Sequence, residues 1–334
     1  MITLIVPFFN ESSHLRRCIE SIRRQTFADY EVLLIDDLST DDSYTLAAEL
    51  TQGDARFRLL RNEHKGLFHA RNLALSEARG EYLCFLDSDD ELLPDYLTAL
   101  YVDSQQAEVD LVIHGFTHVV NGHRKEARVL APGIYDIDSE SQRFFSSFDI
   151  VEMGNVFGKL YCLSLVREYQ LRFSPHVLLS EDMFFVVSYL CHCHRICLSQ
   201  KSNYLYIAHG HSMSTFYWDF DTEKRSYTEL NRVWEQLLGL HPCAALEATY
   251  GQFTGNYVHR LVYTSLVHPQ SRNHPESCLQ QLETDYLPLY GTAYHPATLF
   301  TKSLKWSAIH HHYRFYRLLM RIAIIRYGIT VNYA

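Results

Sequence analysis

Along the first third of the chain, short apolar runs alternate with segments whose apolar residues recur at helical spacing. Residues 2–6 form a continuous apolar run, the pattern of a strand buried on both faces. Leu15, Ile19 and Ile22 then fall on one helical face, after the capping residues Asn10, Ser12 and Ser13. Residues 31–35 predict a second strand, which ends in Asp36 and Asp37, and residues 57–60 a third. Residues 68–78 predict a helix stopped by Gly80, and 82–86 a fourth strand ending in Asp87. Residues 94–106 predict a helix and 110–113 a strand. Strands and helices alternating at this spacing predict an α/β domain with a mostly parallel, doubly wound sheet. From about residue 217 helical spacing dominates. The expected division is therefore residues 1–215 and a helical region, 216–334.

Ligands of such sheets bind at the carboxyl ends of the strands. The acidic clusters sit there, so the pattern itself points to chemistry. Asp87, Ser88, Asp89 and Asp90 directly follow an apolar strand. Two carboxylates one residue apart can converge on a hard cation such as Mg²⁺ or Mn²⁺, whose shell water and phosphate oxygens complete. A solvated turn capping the helix after Pro94 gives the same letters. Asp36 and Asp37 can accept from a base N–H or a ribose hydroxyl, or cap a βα turn. Glu181 and Asp182 precede the apolar Met183-Phe184-Phe185. A carboxylate near apolar walls suits a general base, and a helix N-terminus favours acids for its own reasons.

Composition narrows the field. With 334 residues, 47% apolar, the chain can bury one or two cores, and 21% charged residues exclude wholesale disorder. The net charge of −9 argues against a nucleic-acid partner. The balance is uneven: residues 286–334 hold Lys302, Lys305, Arg314, Arg317, Arg321 and Arg326 and no acid. The N-terminus lacks a basic segment and cleavage site, which predicts a strand and not a leader. No run of about 18 uncharged apolar residues predicts a membrane span. Eight cysteines without framework spacing suit a reducing cytoplasm.

Four segments, taken together, resemble the inverting glycosyltransferases of family 2, which have the GT-A nucleotide-sugar fold. Val6-Pro7-Phe8-Phe9-Asn10 is similar to V-P-x-Y-N, and Asp36-Asp37-Leu38-Ser39-Thr40-Asp41-Asp42-Ser43 to D-D-x-S-x-D-x-S. Gly66, Ala70-Arg71-Asn72, Gly80-Glu81-Tyr82 and Asp87-Ser88-Asp89 resemble G-x-x-x-A-R-N, G-E-Y and the D-x-D metal motif. Lys159-Leu160-Tyr161, Leu171-Arg172-Phe173 and Glu181-Asp182-Met183-Phe184-Phe185 complete the set.

The resemblance implies a nucleoside diphosphate sugar donor, usually with uracil, and a hydroxyl acceptor in cell-surface polysaccharide synthesis, lipid-linked or an oligosaccharide. It puts Pro7, Asn10, Asp37, Arg71, Asp87 and Lys159 on the nucleotide side. Asp89 and Asp87 would hold Mn²⁺ or Mg²⁺, with His209 a further ligand or phosphate contact. Asp182 would be the catalytic base and Glu181 an acceptor contact. Two departures stand out: Leu38 replaces a frequent glycine, predicting a different turn, and Phe157 stands where an indole is common.

Other residues invite misreading. Cys191, His192, Cys193, His194 and Cys197 lack a second C-x-x-C half, so zinc is not expected. His310, His311 and His312 read as surface residues. On one face of a C-terminal helix lie His310, Arg314, Arg317 and Arg321; opposite lie Ala308, Phe315, Leu319, Ile322 and Ala323, with Trp306 near its start. That amphipathicity fits peripheral attachment to an anionic membrane surface at the inner face of the cell membrane, or packing on the rest of the protein.

Overall fold

The computed structural model describes residues 1–127, 129–208, 216–267, 281–286, 299–310, 313, 314, 316, 318–320, 332 and 333. Two units divide it: Met1–Pro175, Glu181–His209 and Gly239–Cys243 form the first, and His176–Ser180, Gly210–Leu238 and Ala244–Ala334 the second.

The first unit is built on an eight-stranded sheet. Its opening half alternates strand and helix: β1 (Ile2–Phe8), α1 (Leu15–Arg23), β2 (Tyr30–Asp36), α2 (Ser43–Thr51), β3 (Phe57–Arg61), α3 (Leu67–Glu77) and β4 (Tyr82–Phe85). β1 and β2 are buried at all seven positions, which is why both are mostly apolar, with the buried Thr3 Oγ1 donating to Glu31 Oε1 of the neighbouring strand. The strand order β3-β2-β1-β4 is parallel throughout. It reverses at β1, so the carboxyl ends of β1 and β4 flank the crevice where open α/β sheets take ligands.

Beyond β4 the sheet is mixed. After β5 (Glu91–Leu92) and α4 (Tyr96–Ser104) come β6 (Leu111–His114), β7 (Phe116–Val120), β8 (His123–Ala127), β9 (Gly133–Asp136), α5 (Ile137–Ser147) and α6 (Ile150–Met153). Then follow β10 (Lys159–Cys162), α7 (Leu163–Glu168), α8 (Glu181–Leu190), β11 (Arg195–Ser199) and β12 (Tyr204–Ile207). β10 inserts antiparallel between β4 and β6, and β11 and β9 extend the far edge. A smaller sheet has the order β5-β12-β7-β8, its strands interleaved in sequence with those of the large one.

Two backbone details position the site. Gly80 N donates to Thr3 Oγ1 at 2.9 Å. A Cβ there would lie 2.7 Å from Thr3 N and 2.6 Å from the Tyr82 carbonyl, so only hydrogen fits where α3 returns to β1. Leu38 has φ 62°, the left-handed conformation. The leucine thus sits where a glycine is unstrained, and it carries strain of about 1–2 kcal/mol.

In the second unit, α9 (Phe220–Leu240) buries Phe220, Glu223, Tyr227, Leu230, Trp234 and Leu237, a three-four spacing that makes one continuous seam. α10 (Ala244–Val267) answers it with Phe253, which stacks on Trp234 at 5.2 Å, and Tyr257. Arg260 meets the buried Glu223 at 2.7 Å. In α11 (Leu299–Ile309), Leu304, Ser307 and Ala308 are buried, while Lys302 and Trp306 are exposed. No helix among the described residues is long and apolar enough to cross a membrane.

Candidate active site

Two segments bring three acids together around one guanidinium from a third. Arg71 projects from α3 and its side chain is only 3% exposed. Its Nη1 donates to Asp182 Oδ1 at 2.5 Å and to Glu181 Oε1 at 3.0 Å, both in the first turn of α8. Its Nη2 lies 3.5 Å from Asp87 Oδ1, just past β4. Burial works against the Arg71 charge, but Asp182, Glu181 and Asp87 outweigh it and raise its pKa further. An arginine expected beside the nucleotide thus bridges Asp87 of the D-x-D motif and the Glu181-Asp182 pair.

The packing behind that bridge explains the sequence motifs. Asn72 clamps the loop after α7 with a reciprocal pair: its Nδ2 donates to the Phe173 carbonyl and its Oδ1 accepts from Phe173 N, both at 2.9 Å. The Phe173 ring stacks on Phe185 at 4.5 Å, and the Arg71 guanidinium lies 5.1 Å from the same ring. A-R-N, R-F and E-D-x-x-F are parts of one contact. No pairing of these segments could be read from their spacing in sequence.

The carboxylates strain against one another. Glu181 is pushed up to about 7 by burial, with Arg71 opposing and Asp182 and Asp87 adding to the rise. Asp87, a third exposed at 32%, is also pushed up to about 7, by desolvation first and by Asp182 and Asp89 after it, again against Arg71. Asp182 is held from two sides, since its Oδ2 accepts from Val156 N at 3.2 Å. Each carboxylate oxygen has two lone pairs, so these bonds leave acceptor capacity for a proton.

On the other side of the crevice, Asp37 N donates to the Phe8 carbonyl at 2.9 Å, tying the ends of β1 and β2. The Asp37 carboxylate is buried and accepts from Asn62 Nδ2 at 2.8 Å and from Gly66 N at 2.8 and 3.0 Å. It holds the loop that starts α3. Pro7 is buried near the end of β1, opposite Ile35. Asn10, exposed and with φ 55°, accepts from Thr40 N at 2.8 Å through Oδ1 and braces the turn before α2.

Lys159 stands apart from these. Its buried ammonium donates to the carbonyls of Met153, Asn155 and Phe157 at 2.7, 2.5 and 3.4 Å. Burial lowers it to about 7, with Asp182 opposing. The structure gives that ammonium to the loop carrying Val156, where the resemblance implied a nucleotide contact. His209 lies outside the described residues. So do Phe315, Arg317, Arg321, Ile322, Ala323, Arg326, His311 and His312.

Sequence reasoning named Asp90 in the acidic run but gave it no role. Its carboxyl is 1% exposed, accepts from Tyr204 Oη at 2.6 Å and Ile207 N at 2.7 Å, and is pushed up to about 8 by burial and Asp87. The one signal was the Tyr204-Leu205-Tyr206 strand, whose hydroxyl needs a buried partner. Among the described residues no group of three or more His, Cys, Asp or Glu is placed to hold a metal ion. The thiols of Cys193 and Cys197 are buried, and burial raises both.

The parallel half of the sheet, with acids gathered at the carboxyl end of β4, is the arrangement in which open α/β folds take ligands. The model of glycosyl transferase family 2 matches residues 3–170, half of the chain, and the chain belongs to that family. It is 28% identical over 247 residues to glycosyltransferase GlyA of Streptococcus pneumoniae, covering 71% of this chain and 34% of that protein. It is 24% identical over 281 residues to the poly(ribitol-phosphate) beta-N-acetylglucosaminyltransferase TarP of Staphylococcus aureus, covering 83% of this chain and 82% of TarP. The chain spans 34% to 63% of the length of the first four curated relatives it matches. Among solved structures, S. aureus TarS 1–349 in complex with UDP-GlcNAc shares the fold. The TM-score is 0.70 at 19% identity, over 98% of this chain and 92% of that one.

Proposed function

We propose that this glycosyltransferase moves a sugar, with inversion, from a UDP-sugar to a hydroxyl of a cell-surface polymer, lipid-linked or oligosaccharide. The observation that carries the reading is the convergence of Asp87, Glu181 and Asp182 on Arg71 at the carboxyl end of β4. Asp182 takes the proton of the acceptor hydroxyl as its oxygen attacks the anomeric carbon. The bond to the diphosphate breaks on the opposite face, and the pair of electrons leaves with the phosphate oxygen. One base and no second carboxylate attacking the sugar give direct displacement. Arg71 holds Asp182 on the acceptor side, and Glu181 beside it can accept from a second acceptor hydroxyl. Asp37, with lone pairs left over from Asn62 and Gly66, can accept from the uracil N3–H.

The residues present fit a divalent cation. Burial raises Asp87 most, with Arg71 opposing and Asp182 and Asp89 adding to the rise, and a cation would relieve both the desolvation and the repulsion. Two carboxylates on one loop are the protein ligands that Mg²⁺ or Mn²⁺ commonly takes beside substrate phosphates. Asp87 and Asp89 would hold it, with His209 a further donor. Bound there, a cation would supply positive charge to offset that developing on the departing diphosphate. A donor panel tests the reading: UDP release with Mn²⁺ by wild-type protein, lost in Asp89→Ala and in excess chelator. Equal release in chelator sinks the metal assignment, and no release from any nucleotide sugar sinks the transferase reading.

Peripheral attachment to an anionic membrane is part of the same reading. Its support is the exposed Lys302, Trp306, Arg314 and Leu318, with the acid-free residues 286–334 around them. The buried Leu304 and Ala308 show that the apolar side of α11 is already covered.

A further inference from the structure

The loop after β4 must present Asp87 and Asp89 in one direction, yet two neighbouring carboxylates repel each other and a short loop can relax. Its backbone is pinned from outside. Asp87 N donates to Tyr204 Oη at 3.2 Å, and that hydroxyl donates to Asp90 Oδ2 at 2.6 Å. Asp90 Oδ1 accepts from Ile207 N at 2.7 Å, which fastens the far end of the loop to the end of β12. Asp90 N closes the turn onto the Asp87 carbonyl at 3.1 Å. Tyr204 and Asp90 are 0% and 1% exposed, so no solvent replaces these bonds when one is lost.

The same tyrosine reaches the acceptor side. Its ring stacks on Phe157 at 4.3 Å with 9° between planes. The residue before Phe157 is Val156, whose N–H donates to Asp182 Oδ2. The Val156 carbonyl is held in turn by Tyr161 Oη at 3.0 Å. We infer that Tyr204 and Asp90 are positioning residues: they set the aim of the Asp87 and Asp89 carboxylates, and the Tyr204 ring joins that loop to the segment holding Asp182. The inference rests on reading Asp87 and Asp89 as cation ligands.

Tyr204→Phe separates the two halves of the idea, because it keeps the ring against Phe157 and removes only the hydroxyl. Mn²⁺ is titrated calorimetrically into metal-free protein saturated with UDP. Loss of an outer hydrogen bond that orients metal ligands typically weakens metal binding roughly 10–100-fold, and that rise in Mn²⁺ Kd is expected here. The UDP Kd in excess chelator stays within about twofold of wild type, which a general loss of structure would not allow. Asp90→Asn, whose single amide oxygen can accept from Tyr204 Oη or from Ile207 N but turns its NH2 to the other donor, shifts the Mn²⁺ Kd in the same direction. Wild-type Kd in both variants overturns the inference while leaving the metal reading intact. Equal weakening of metal-dependent and metal-free UDP binding also overturns it. Wild-type protein that binds no Mn²⁺ overturns the metal reading itself and this inference with it.

Discussion

Asp182 and Arg71 are 111 positions apart in sequence, and the guanidinium of one donates to the carboxylate of the other at 2.5 Å. The bridge decides how the site behaves, because the same Arg71 Nη1 serves Glu181 and its Nη2 faces Asp87. Removing the charge leaves three crowded carboxyls without their counterion.

Arg71→Lys is therefore not a conservative change. A point ammonium cannot hold Asp182, Glu181 and Asp87 together as the planar fork does. Breaking a buried pair by removing one partner costs about 3–5 kcal/mol. Arg71→Ala is expected near that range in chemical denaturation, with Arg71→Lys between it and wild type. Transfer falls at least about tenfold in Arg71→Lys, since a misplaced base loses its aim. Wild-type kcat in Arg71→Lys contradicts the bridge.

The pH dependence has a definite sign. Glu181 and Asp87 are both pushed up to about 7, while unfolded carboxyls titrate near about 4. Between these values the folded state keeps protons that the unfolded chain has released. Their contribution to stability is therefore full at the acidic end of that window and is lost as pH rises towards 7. In chelator, the Tm of wild-type protein falls from about pH 5.5 to 7.5, and Glu181→Gln flattens the slope; a change of 1 kcal/mol corresponds to about 2–4 °C. Transfer runs the other way and rises through about pH 7, because Asp87 must ionise to take a cation. A Tm difference between wild type and Glu181→Gln that does not vary with pH rules this out.

Membrane attachment is checked by flotation with anionic liposomes, comparing the full chain with a truncation before Leu299. Each basic residue at such a surface contributes about 1 kcal/mol. The full chain floats at low salt and the truncation does not. Flotation of both, or of neither, contradicts the assignment.

How much of this was legible beforehand follows from the kind of signal each element carries. β1 and β2 are buried on both faces, so their apolar runs announce them, and the aspartates at their ends mark the crevice. β10 has four residues and enters the sheet antiparallel, and nothing in Lys159-Leu160-Tyr161 shows direction. β8 is the exposed, polar edge of the smaller sheet and has no apolar alternation to read. At the site, resemblance named Asp87, Asp89, Glu181 and Asp182, but spacing did not show that Arg71 bridges to Glu181 and Asp182, more than a hundred residues away. Lys159 had the right chemistry for a phosphate and is committed to three carbonyls. Leu38 marks another limit, since a leucine gives no sign in the sequence that its backbone is left-handed.

The central claim is that Asp182 is the base, and a KM-against-kcat comparison of Asp182→Asn with Mn²⁺, a UDP-sugar and a hydroxyl acceptor tests it most directly. Asparagine keeps the shape, can still accept from Arg71 through Oδ1, and cannot take the acceptor proton. General-base catalysis is worth about 10²–10⁴-fold, so kcat is expected to fall by that range while donor affinity stays near wild type. A kcat within threefold of wild type, or a loss confined to donor affinity, contradicts the account.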